Sequence, residues 1–101
     1  MKTIELDKEI TTLSGAKIML TQNVVLTYRS ALVSVCELFQ GEPGSGESLR
    51  AYNLGLKVIN AKDDIKLDKE EVDFLKQIVE KNRSFMAVVI GRLLEFINKF
   101  N

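Results

Sequence analysis

The chain has 101 residues, 46% of them apolar and 28% charged, and its fourteen basic residues balance fourteen acidic ones. This composition excludes bulk disorder, and the zero net charge argues against a dedicated nucleic-acid binder. One cysteine, Cys36, rules out an intramolecular disulfide, and the lack of histidine removes the usual general base and the commonest metal ligand.

The length fits one domain over 1–101: an extended or hairpin region over 1–26, then a helical region over 27–101. Lys2 to Leu6 alternates polar and apolar residues as a half-buried strand does. Ser14-Gly15 marks a turn, Lys17 to Leu20 reads as a second short strand, and Val24-Val25-Leu26 suits a third. No apolar leader is expected in Met1 to Asp7, and the longest apolar run, Phe85 to Ile90, is too short to span a bilayer. The expected setting is therefore cytoplasmic, without a membrane.

Asn23 and Thr27 both fit as N-cap of the first helix, with Thr27 preferred, and Tyr28, Leu32, Val35, Cys36 and Phe39 form its apolar face up to an end near Gln40. Gly41 to Gly46 reads as a flexible loop. A second helix spans about Glu47 to Asn60, with Leu49, Tyr52, Leu56 and Ile59 at helical spacing. Gly55 inside it costs about 1 kcal/mol against Ala, which either a close helix crossing or simple tolerance would explain. The third helix has the clearest start: Asp68 as N-cap, Glu71 at N3, and Leu67 set to pack on Val72. Its stripe is Val72, Leu75, Ile78 and Val79. Ser84 is placed to cap a last helix from Phe85 to about Phe100, with Met86, Val89, Ile90, Leu93, Ile97 and Phe100 on one face. The fold class is thus mainly α, about four helices in a small bundle with a short N-terminal β-hairpin element.

Catalytic and metal patterns fail one by one. From Asn60 to Glu71 the chain loosely follows a calcium loop, but Lys62 stands where a carboxylate is needed and Ile65 where the turn needs glycine. Asp63-Asp64 and Glu70-Glu71 are adjacent pairs that point apart on a regular element. Cys36 falls on an apolar helix face with no activating base, so a buried core thiol is expected. The three glycines of the 41–46 loop lack the Lys-Ser or Lys-Thr of a phosphate loop. No catalytic residue, metal or cofactor is expected, and the chain reads as a non-enzyme.

Two surfaces remain. Phe85, Val88, Leu94 and Phe96 lie beside or outside the last helix's main stripe and form the candidate interaction surface. Lys76, Lys81, Arg83 and Arg92 surround the junction of the last two helices as alternative nucleic-acid contacts, but Asp73, Glu80 and Glu95 are interspersed.

Leu13-Ser14-Gly15, Leu20-Thr21, the Gly41 to Gly46 loop, Leu49 to Ile59, Ile65 to Glu71 and Val89-Ile90-Gly91-Arg92 follow one another in a recurring order. In this order the chain resembles a loose family of short phage and prophage accessory proteins. The resemblance carries over no activity and no catalytic residue. It implies a small accessory protein that acts in the cytoplasm of a bacterial host by binding itself or another phage or host protein. The expected function is a phage-type interaction or assembly protein that self-associates. The alternatives are a small DNA-binding regulator and an inhibitor of a host enzyme.

Overall fold

The computed structural model describes residues 6–62 and 65–100. The expected strand over Lys2 to Leu6 and the Asp63-Asp64 pair therefore lie outside the described residues, the first all but its last residue. In chain order the elements are β1 (Met19–Thr21), β2 (Val24–Val25), α1 (Tyr28–Leu38), α2 (Glu47–Asn60), α3 (Lys69–Lys81) and α4 (Ala87–Ile97), which ends in a 3₁₀ turn over Asn98–Phe100. This is the mainly α bundle with a small N-terminal β element that the pattern predicts.

The β element is more than a hairpin. Beyond the antiparallel β1–β2 pair, single bridges join Glu9 to Thr27 and Thr11 to Lys17. The Ile10 N–H donates to the Leu26 carbonyl, Leu26 N–H to Ile18, and Ile18 N–H to Ile10, at 2.9, 2.7 and 3.4 Å. The three residues close a ring of backbone bonds and all turn their side chains into the core. Satisfying these polar groups internally lets an irregular segment be buried at its centre.

The same segment completes the start of α1. Thr27 and Ser30 form a reciprocal capping box, while Tyr28 N–H donates to the Lys8 carbonyl and Arg29 N–H to Leu6. The amides that open a helix lack intrahelical partners, and here side chain and strand supply them. At the other end Gly41 passes close to the next helix: a Cβ there would lie 2.6 Å from that of Glu47.

The start of α3 follows the expected capping box. Glu71 N–H donates to Asp68 Oδ1 at 2.7 Å, and Asp68 N–H donates to Glu71 Oε1 at 3.1 Å. The start of α4 corrects the sequence reading. Asn82 Oδ1 accepts from both Ser84 and Phe85 N–H, each at 3.0 Å, which holds those residues in a turn. The helix then begins after Met86 instead of being capped by Ser84.

One apolar core runs from Leu6 to Ile97. From α1 it takes Ala31, Leu32, Val35 and Cys36, and from α3 Val72, Phe74, Leu75, Ile78 and Val79. α1 packs on α2, α3 and α4. Two aromatic pairs fix flanks of the bundle: Tyr28 stacks on Phe96 with centroids 4.5 Å apart, and Phe39 meets Phe74 edge-on at 5.7 Å.

Candidate interaction surface

α2 buries a different face from the one its regularly spaced large residues mark. Ala51, Leu54, Gly55 and Val58 turn to the core, whereas Leu49, Tyr52, Leu56 and Ile59 are 63, 60, 39 and 54% exposed. The cause is the crossing with α1. A Cβ added at Gly55 would lie 3.2 Å from the Cys36 Cβ, so the two helices meet where α2 has no side chain. Close approach selects the small residues for the inner face, and the bulky stripe is left roughly a third of a turn away, in water.

Beside this stripe α1 and α2 enclose an open groove of about 520 Å³, lined by Val33, Cys36 and Glu37 from α1 and by Tyr52, Gly55 and Leu56 among others from α2. Glu37 is the charged member of that lining. The cations of α2 face elsewhere. The Arg50 guanidinium sits over the Phe74 ring, 4.3 Å from its centroid. Lys57 Nζ donates to both carboxylate oxygens of Glu71 at 2.9 and 3.1 Å. Along α2 the stripe is therefore an apolar strip flanked by the neutral residues Ser48, Asn53 and Asn60, with Glu37 across the groove on α1.

The C-terminal end of α2 is held from α1. The Arg29 guanidinium donates to the carbonyls of Val58 (2.7 Å), Lys62 (2.7 Å) and Ala61, and its Nε to Asp7 Oδ1 at 2.9 Å. This hydrogen bond holds the Asp7 carboxyl below its ordinary pKa. A cation at the end of a helix also complements the dipole. The exposed stripe thus stands on a helix fixed at both its crossing and its end.

The sequence-derived residues are distributed differently. Phe96 is inside the core, 4% exposed, because α4 is rotated so that Val89, Leu93, Phe96 and Ile97 face inward. Phe85, Val88 and Leu94 are half-buried and pack against that core. Met86, expected on the buried stripe, is instead 58% exposed. Of the basic residues, Lys81 and Arg83 line one shallow depression near the ends of α1 and α3. Arg92 is drawn away to the N-terminal turn, where its guanidinium donates to the carbonyls of Thr11 and Thr12 at 3.3 and 3.2 Å. Lys76 is half-buried on α3.

Cys36 is buried, and burial pushes its thiol up to about 12, with the Glu37 charge adding to the effect. Among the described residues no three His, Cys, Asp or Glu side chains gather as a metal-ligand set. No helix among them is long and apolar enough to cross a membrane.

Set against protein-family models, curated proteins and solved structures, the chain matches none. The site therefore rests on its own geometry.

Proposed function

We propose that this chain is a non-enzymatic protein–protein interaction and assembly protein that self-associates, of the phage-accessory kind and working in the cytoplasm of a bacterial host. One observation carries the reading: four large apolar side chains stand in water in a single row on α2. A monomer gains nothing from them there, since polar residues on that face would support the helix equally well. Burying them against a partner returns about 25 cal/mol for each Å² of apolar area. The zero net charge leaves no global repulsion to hold copies apart.

The DNA-binding alternative has weaker support, because Arg92 is committed to the Thr11 and Thr12 carbonyls and only Lys81 and Arg83 of its set share a surface. Inhibition of a host enzyme would use the same α2 face on a foreign protein.

The test is solution mass by light scattering after gel filtration. The wild type is expected above its 11.4 kDa chain mass, rising with concentration. Tyr52→Glu is expected to return it to monomer with an unchanged helical spectrum. Val88→Glu, on α4, is expected to keep the wild-type mass. A mass that Tyr52→Glu leaves unchanged would remove α2 from the interface.

A further inference from the structure

We infer that two copies of the chain pair antiparallel through α2 about a two-fold axis. Tyr52 of each copy then lies against Leu56 of the other, and Leu49 against Ile59. The inference rests on the self-association reading above and specifies its geometry.

The first argument is spacing. Leu49, Tyr52, Leu56 and Ile59 are separated by three, four and three residues. This is the a/d pattern of a coiled-coil seam, and it reads the same in both directions about its midpoint near Leu54. In a two-fold contact residue i meets j while j meets i. A row symmetric about its centre can meet its own reversed copy with all four side chains engaged.

Shape selects the antiparallel arrangement. Tyr52 protrudes, 60% exposed, whereas Leu56 is recessed at 39% beside the groove that Val33 and Gly55 help to line. Reversal of one copy sets each protruding ring over the other's recess. A parallel pair would set Tyr52 against Tyr52 and leave both recesses unfilled. Antiparallel helices also oppose their dipoles, where parallel ones align them.

Charge agrees. On α2 the positions bordering the seam are Ser48 and Gly55 on one side and Asn53 and Asn60 on the other, all uncharged, and Glu37 of α1 is the one charged residue lining the adjoining groove. A two-fold axis brings residues near it towards their own twins, so a charge there would face a like charge. Asn53, close to the axis and exposed, carries an amide that both donates and accepts, and so pairs with itself. Arg50 and Lys57 are held on the far side by Phe74 and Glu71.

Area sets the strength. The four side chains expose on the order of 400 Å² together, within the range of the largest patch a monomer leaves to water. That is about half of the ~800 Å² per partner of a standard interface, and the adjoining α1 wall adds to it. The dimer is therefore reversible and concentration-dependent.

The experiment mixes two single-site variants, Leu49→Cys and Ile59→Cys, under mild oxidation. Both keep Tyr52 and Leu56, and buried Cys36 stays out of the reaction. The expected result is a disulfide between position 49 of one chain and 59 of the other, at least several-fold above the disulfide from either variant alone. Equal or stronger 49–49 and 59–59 products would mean a parallel pair and overturn the inference. A sample that is dimeric by light scattering yet forms no cross-link on α2 would overturn it while leaving self-association standing. A strictly monomeric wild type would remove both.

Discussion

Arg29 shows how much one side chain can hold. Its guanidinium ties the carbonyls at the end of α2 to α1 and to Asp7, and an ammonium could not reach that spread of acceptors. Arg29→Met is expected to cost about 1.5–3 kcal/mol by urea denaturation, and Arg29→Lys to recover less than half of that. The glycines offer a second contrast. Gly91 has open space around a prospective Cβ, whereas at Gly55 that atom would press on the Cys36 Cβ. Gly91→Ala is expected to stabilise by about 0.5–1 kcal/mol, while Gly55→Ala gains none of it, because the propensity term is offset by strain in the crossing. Cys36 adds a pH dependence. Its native thiol ionises only near 12, while the unfolded thiol ionises from about 8.5–9. Stability from the neutral thiol is complete below about pH 8.5 and falls as pH rises from there through 12, where the unfolded state binds fewer protons. The wild-type urea midpoint should drop more between about pH 8 and about pH 10.5 than that of Cys36→Ala, and equal drops would contradict the assignment.

At the scale of elements, local chemistry wrote two of the helix starts, those of α1 and α3, into the chain. The Asp68–Glu71 box and the Thr27 cap are legible because a capping side chain must be Ser, Thr, Asp or Asn at a fixed offset. Asp68→Ala is expected to cost about 1 kcal/mol, read from the thermal midpoint. Ser84 misled because Asn82, two residues earlier, accepts from the Ser84 and Phe85 amides and holds both in a turn, so that the helix begins only after Met86. The inner face of α2 was not legible for another reason. Its sequence carries two rows at helical spacing, 49-52-56-59 and 51-54-55-58. Periodicity alone cannot say which one faces in. The deciding signal was volume: Ala51 and Gly55, four apart, permit the backbone of α1 to approach, which the bulky row would prevent. On α4 the same ambiguity touches Phe96 of the expected surface. Phe96 looked peripheral to a stripe that begins at Met86, yet it stacks on Tyr28 inside the bundle while Met86 stands in water.

For the whole molecule, composition and apolar pattern were enough to place four helices and a small β element, because burying one continuous core leaves few alternatives. The ring of Ile10, Ile18 and Leu26 was not legible, since its closure depends on backbone bonds between segments up to sixteen residues apart. Nor could the sequence separate core from contact surface, because both are built from the same residues. The row on α2 is the proposed interface between copies. The most direct measurement is sedimentation equilibrium of the wild type over a wide concentration range, beside Tyr52→Glu. The expected result is a reversible monomer–dimer equilibrium in the wild type and a monomer throughout in the variant. A wild type that stays at 11.4 kDa at every concentration would contradict it.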